Sequence, residues 1–253
     1  MSQAGQAEAF TDDRLLDERV LLRQPARGFR AGSDAVFLAA AVAARSGESV
    51  VDIGSAHGPA ALCLAWRCPE VTVTGLDRQA DLIALAKDNA DRNRWLDRVR
   101  FVCSDLAHAL ALGPFDHAMT NPPYRRVGNR SPDRAREAAR HEGELALADW
   151  IDRSAALIRP GGSLTVIFTA ARASELIAAM QRHLGDLLVR ELWSRRAGPA
   201  ELVIVRGLCG GASELRRAPA FIVHRDDQRF TEEAEDILRG GAALSLAAPL
   251  GPS

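Results

Sequence analysis

Val51-Asp52-Ile53-Gly54-Ser55-Ala56-His57-Gly58 joins a short apolar run to a glycine-bounded turn, and Pro59 to Arg67 continues from it with helical spacing. A buried strand that passes through a tight turn into a helix is the opening unit of a doubly wound α/β fold. Working outward, the unit repeats. Val71 to Leu76 reads as a strand and Gln79 to Asn93 as a helix, with Leu82, Ile83, Leu85 and Ala86 on its inner side. Val99 to Cys103 and Phe115 to Thr120 are further strands. Ala148 to Ile158 reads as a helix ended by Pro160-Gly161-Gly162, Ser163 to Phe168 as a strand and Ala173 to His183 as a helix. This alternation predicts a mostly parallel sheet with helices on both faces. Leu187 to Leu192 and Glu201 to Arg206 are the last two strands. The loop between them is too short for a crossover helix, so they are expected to pair antiparallel, one inserted among the parallel strands. Ahead of the opening turn, Arg19 to Arg23 reads as a short strand and Gly28 to Ser33 as a turn. Ser33 or Asp34 is expected to cap a helix over roughly 35–45. The organisation expected is a flexible leader over 1–16, one domain over 17–239 and a mobile tail over 240–253.

Bulk properties narrow the class. The 253 residues are 47% hydrophobic and 26% charged with a net charge of −1, ordinary for a soluble domain, so any nucleic-acid contact must be local. The longest apolar run, Ala35 to Ala44, is too short to span a membrane. The acidic N-terminus, with Glu8, Asp12 and Asp13, lacks the basic start of a signal peptide. Cys63, Cys68, Cys103 and Cys209 have no zinc-type spacing and read as reduced thiols, so a cytoplasmic protein without a metal site is expected.

The strand ends hold the chemistry. Asp52 ends the first strand, Asp77 the second and Ser104-Asp105 the third, while Asn121-Pro122-Pro123-Tyr124 follows the fourth. Doubly wound folds bind ligands outside these ends, and a carboxylate after the second strand can accept both hydroxyls of a ribose. One such acid means little, because it often only caps the next helix. Three in succession ahead of the diproline corner point to a nucleoside-bearing ligand. Ala56, His57 and Pro59 crowd the loop that a dinucleotide pyrophosphate needs uncluttered, which argues against a nicotinamide enzyme.

The diproline corner suits a planar amine. Such an NH2 is a poor nucleophile because its lone pair is delocalised. The Asn121 side-chain oxygen and the Pro122 carbonyl can accept from its two N–H groups and turn the lone pair toward an electrophile. The prolines stiffen the loop and remove backbone donors. Tyr124, the only tyrosine in the chain, offers a flat face for stacking. The bland alternative is a rigid turn that ends a strand.

These features together resemble class I S-adenosylmethionine-dependent methyltransferases, and more closely the bacterial tRNA(Val) adenine-N6 methyltransferases, which modify an adenosine beside the anticodon. The resemblance runs from about Gln24 to Gly241. It includes Gly28-Phe29-Arg30-Ala31-Gly32-Ser33-Asp34, the Asp52–Gly58 turn, Asn121 to Tyr124, Arg140-His141-Glu142 and Arg159-Pro160-Gly161-Gly162. It implies a Rossmann-like, seven-stranded, mostly parallel sheet with one antiparallel strand. Ser33 would lie near the methionine carboxylate of the cofactor, and Asp52, Gly54, Ser55, Ala56 and Gly58 would form its loop. Asp77 and Arg78 would meet the ribose, Ser104 and Asp105 the adenine. Asn121, Pro122, Pro123 and Tyr124 would be catalytic, with Asn121 also bordering the cofactor. The family usually has glycine where Ala56 stands, and its Cβ would press on the ligand or demand different backbone angles. His57 replaces a small polar residue and reads as a solvent-facing loop histidine. Glu201-Leu202 stands where a basic residue is expected.

Between Tyr124 and Gly143, six arginines face three acids. Arg125, Arg126, Arg140 and His141 are candidates for RNA contact at the pocket mouth, against a bland reading as a solvated helix. The function expected is methylation of the adenine N6 amine in structured RNA, tRNA first. A glutamine side chain or a DNA adenine is the alternative acceptor. The glutamine enzymes carry an extra N-terminal helical domain, whereas about 30 residues precede the fold here, and no insertion has the size of a DNA-recognition domain. A non-catalytic fold that binds RNA or a partner protein is the alternative from another class. Oligomeric state is left open.

Overall fold

A computed structural model describes residues 10–27, 30–123 and 145–247. Its strands are β1 (Phe10–Leu15), β2 (Val20–Pro25), β3 (Ser49–Ile53), β4 (Thr72–Asp77), β5 (Val99–Cys103), β6 (Phe115–Thr120), β7 (Ile158–Thr169), β8 (Leu184–Trp193), β9 (Ala200–Cys209), β10 (Leu215–Arg217) and β11 (Phe221–Ile222). The α-helices are α1 (Ser33–Ala41), α2 (Pro59–Arg67), α3 (Ala80–Arg92), α4 (Leu147–Ala155), α5 (Ala173–Met180) and α6 (Glu232–Leu238).

The main sheet has the order β10-β8-β9-β7-β6-β3-β4-β5, with β11 also on β8. β3, β4, β5, β6 and β7 are mutually parallel, and β9 runs antiparallel between β7 and β8. The fold is therefore the class I methyltransferase sheet expected, but with nine strands instead of seven. The two extra strands, β10 and β11, are short and pair with the outer edge of β8, covering backbone groups an edge would expose.

Side chains alternate across β3. Val50 joins the core beneath α1, α2 and α3, while Val51 and Ile53 join the core beneath α4 and α5. On α1, Val36, Phe37 and Leu38 are all buried, each stabilising by about 1.5–3 kcal/mol through apolar burial. α1 has no side-chain cap, so neither Ser33 nor Asp34 plays the capping part expected of it. The Pro160-Gly161-Gly162 stretch does not terminate a helix but lies within β7, where the register against β6 shifts between Ile158 and Ser163.

Parts of the expected leader and tail are built into the fold, at 10–16 and 240–247; their residues 1–9 and 248–253 lie outside the described residues. Phe10–Leu15 pairs with β2 as an antiparallel hairpin, and Asp12 and Asp13 hold Arg23 and Arg30 at 3.0 Å. Beyond Gly240, Leu244 and Leu246 are buried in the core beneath α1, and the Leu244 amide donates to the Ala40 carbonyl at 2.9 Å. Helix α3 grips β2 through two asparagines one turn apart. Asn89 accepts from the Arg23 amide at 2.7 Å and donates to the carbonyls of Arg23 (2.8 Å) and His57 (3.0 Å). Asn93 exchanges the same pair of bonds with Leu21.

Candidate active site

The register aligns the carboxyl ends of four parallel strands. Asp52 lies opposite Gly75, Ile53 opposite both Leu76 and Thr120, and Asp77 opposite Cys103. Outside these ends lies a cavity of about 500 Å³, within the range of small-molecule sites. Gly54, Ala56, Asp77 and Arg78 line one part of it, Ser104 and Asp105 another, and Asn121, Pro122 and Pro123 a third. Four turns far apart in sequence thus meet in one crevice. Asp52 and Ser55, each 3% exposed, lie behind the wall, and Gly58 forms the left-handed N-cap of α2. Ser33 is exposed and does not line the cavity; its neighbour Asp34 does. Tyr124, Arg125, Arg126, Arg140 and His141 lie outside the described residues.

Asp77 ties the loop after β3 to the start of α3. Its Oδ2 accepts from the Ala56 amide and its Oδ1 from the Gln79 amide, both at 2.9 Å. Ala56 adopts φ +49°, the left-handed conformation a glycine enters freely and an alanine enters at a cost of about 1–2 kcal/mol. The alanine thus holds a left-handed conformation that glycine enters without strain. At Gly58, φ +91°, an added Cβ would stand 2.7 Å from the Phe101 ring. Asp105 does two things at once, since its Oδ1 accepts from the Ala107 amide at 2.7 Å and caps the following turn while its side chain faces the cavity.

Two buried titratable groups sit behind the loop. Burial pushes the Asp52 carboxyl up to about 7, opposed by the Ser55 hydroxyl and the Ala61 amide and reinforced by the charge of Asp77. His57, expected at the surface, is fully buried, and its pKa is pushed down to about 4 by burial with Arg30 adding to it. It is a neutral packing residue of the loop, held through its carbonyl by Asn89.

Three contributors were not singled out as site residues from the sequence. The Asn121 side chain donates its Nδ2 to Asp34 Oδ2 at 3.0 Å, across 87 positions of sequence. Trp150 of α4 closes the opposite wall, with its Nε1 on Thr120 Oγ1 at 3.0 Å, and Thr120 in turn donates to the Ile53 carbonyl. Its ring is close enough to Gly54 that an added Cβ would meet it at 3.3 Å. No local sequence signal marks Asp34 or Trp150, because each acts on a partner from a distant strand.

The arrangement suits a ligand carrying a nucleoside and a charged tail. Half-buried carboxylates stand ready for hydroxyl and amine donors, Leu82 and Leu106 give apolar walls, and the Ala56 backbone makes close approach possible. Among the described residues, no group of three or more metal-ligating side chains occurs, and no helix is long and apolar enough to cross a membrane.

Comparison with known proteins places this geometry. The family model of the methyltransferase small domain matches residues 30–191. A protein of Aeromonas hydrophila subsp. hydrophila named tRNA1(Val) (adenine(37)-N6)-methyltransferase is 31% identical over 205 residues, covering 80% of this chain and 86% of that protein. A protein of Tolumonas auensis with the same name is 27% identical over 214 residues, covering 78% and 89%. A crystal structure of an Agrobacterium tumefaciens protein described as a predicted O-methyltransferase superposes with a TM-score of 0.70 at 24% identity, covering 83% of this chain and 98% of that one. With a family match over most of its length and a cavity at the strand ends where that fold binds its ligand, the chain belongs to the methyltransferase small domain family and is an S-adenosylmethionine-dependent methyltransferase.

Proposed function

We propose that the enzyme methylates the exocyclic N6 amine of an adenine in tRNA. The observation that carries this reading is Asn121 and the diproline corner lining the same cavity as Asp77 and Asp105, so that an amine-binding corner borders a nucleoside-binding one. The names of the relatives support the acceptor.

Asp77 would accept from the ribose hydroxyls, with Arg78 at its rim, and Asp105 with Ser104 would take the adenine amine. The Gly54–Gly58 loop, with Ser55 and Asp52 behind it, would shape the methionine end. Bound S-adenosylmethionine would supply an electrophilic methyl group on a sulfonium. The target adenine must leave its stack, at a cost of a few kcal/mol that is smallest in a loop. Asn121 Oδ1 and the Pro122 carbonyl would accept from its two N–H groups, and Tyr124 would offer its ring for stacking. On taking the methyl group that bound S-adenosylmethionine would supply, the amine held by Asn121 and Pro122 would lose one proton to solvent. No strong base is needed, because the nitrogen becomes acidic only as it is alkylated; catalysis is mainly positioning. Arg125, Arg126, Arg140 and His141 would meet RNA phosphates and unpaired bases.

The test is incubation with labelled S-adenosylmethionine and separated tRNA, DNA and protein fractions, followed by nucleoside analysis. N6-methyladenosine in the tRNA fraction is expected. Label in protein or DNA alone overturns the acceptor assignment.

A further inference from the structure

We propose that Asp34 is a positioning residue that fixes which edge of the Asn121 amide faces the substrate, and that this makes the diproline corner selective for a group with two N–H donors. This rests on amine methylation as the reaction.

An asparagine amide has a donor edge and an acceptor edge of nearly the same shape, and rotation about its last bond exchanges them. An ionised carboxylate accepts only. With Asp34 Oδ2 at 3.0 Å, the amide must turn Nδ2 toward it, which leaves Oδ1 as the edge available to a ligand. The Pro122 carbonyl is an acceptor as well, and neither proline has a backbone N–H to donate. A corner set up this way welcomes NH2 and repels a carbonyl oxygen.

The carboxylate is itself held in place. Asp34 lies in the first turn of α1, whose following seven residues are all buried, so its backbone is anchored in the core. A negative charge is favoured at that end of a helix. The side chain folds back over Gly32, where a Cβ would stand 2.9 Å from Asp34 Oδ1, so glycine leaves the room the carboxylate needs. Both Asp34 and Asn121 line the cavity, yet Asp34 is spent on the asparagine instead of capping its own helix.

The experiment uses the full chain with labelled S-adenosylmethionine and tRNA, and calorimetry for cofactor affinity. Asp34→Ala is expected to lower kcat about 10- to 100-fold, the equivalent of one charge-assisted hydrogen bond, with cofactor affinity and KM for tRNA within about threefold. The isosteric Asp34→Asn keeps the shape and one acceptor but allows the flipped arrangement, so its loss is expected to be smaller. The exchanged pair Asp34→Asn with Asn121→Asp reverses donor and acceptor: the introduced amide donates to the introduced carboxylate, which keeps an oxygen for the substrate. It is expected to be at least tenfold more active than Asn121→Asp alone, in which two carboxylates face each other. A merely structural role for Asp34 gives no such rescue. Wild-type kcat in Asp34→Ala and Asp34→Asn, or an exchanged pair no better than Asn121→Asp, overturns the proposal while tRNA labelling by the wild type keeps the proposed function intact. Absence of wild-type labelling of tRNA removes that function, and this inference with it.

Discussion

The two halves of the cavity are built on different principles. On the side of the glycine loop, each functional carboxylate is tied to backbone. Asp77 holds the Ala56 and Gln79 amides, and Asp105 holds the Ala107 amide. The geometry there is shared among several bonds, and the side chains are spread over three strand ends. On the side of the diproline corner, among the described residues, the Asn121 amide is oriented by Asp34. A binding surface with many partial supports tolerates losses; a corner that aims one amide does not. Changes on the first side should therefore act through cofactor affinity, and on the second through turnover.

The largest effect tests the second half of that contrast. Asn121→Ala is expected to lower kcat about 10²- to 10³-fold, as removal of one preorganised polar group from a catalytic site does, with cofactor affinity within about threefold. Equal losses in affinity and turnover would merge the two halves into one unit.

A stability effect hidden in the loop comes next. Asp52 has its folded pKa raised from 3.8 to about 7, so the native state binds the extra proton and stability falls as pH rises through that window. His57 has its folded pKa lowered from 6.5 to about 4, so the unfolded state binds the extra proton and stability rises with pH between those values. The two slopes oppose each other and nearly cancel between pH 4 and 6.5. Asp52→Asn should leave a stability that climbs by about 3 kcal/mol over that range, and His57→Gln one that declines by a similar amount. Denaturant unfolding at several pH values reads this directly. Parallel pH profiles for the two variants would show that the buried pair does not control the slope.

Asp77→Ala removes the acceptor of the Ala56 and Gln79 amides and should weaken S-adenosylmethionine binding about 10- to 100-fold while kcat at saturation changes little. Calorimetry and saturation kinetics together make the distinction. The smallest change expected is for Ala56→Gly. Relief of the left-handed strain is offset by the greater freedom glycine gains in the unfolded chain, so Tm should move by only a few degrees. Cofactor affinity should tighten less than about fivefold, and a large gain would mean that the Cβ, not the backbone, limits binding.

Much of this was legible in the sequence. The strand and helix alternation from Ser49 to Thr120 follows from apolar runs of strand length separated by turns, and the short final connection required the antiparallel pairing of β8 and β9. Asp77 and Asp105 met in one cavity because parallel strands end on the same side, whereas Asp52 of the same series is buried behind its wall. What escaped had its cause elsewhere in the chain. The polar run Phe10–Leu15 becomes a strand only because β2 and two arginines receive it. Leu244 and Leu246 look like isolated leucines in a small-residue tail until the gap beside α1 is seen. His57 follows polar-loop chemistry in sequence yet is enclosed by α3 and β2. The bond of Asp34 to Asn121 spans 87 positions, and no periodicity reports a contact of that kind.

The two asparagines of α3 give the amino-terminal hairpin a reach beyond its own size. Asn89 takes the Arg23 amide on its oxygen and shares its Nδ2 between the Arg23 and His57 carbonyls, so strand and loop share a hinge pin. Anything that seizes or prises the hairpin therefore pulls on the loop that borders the cavity.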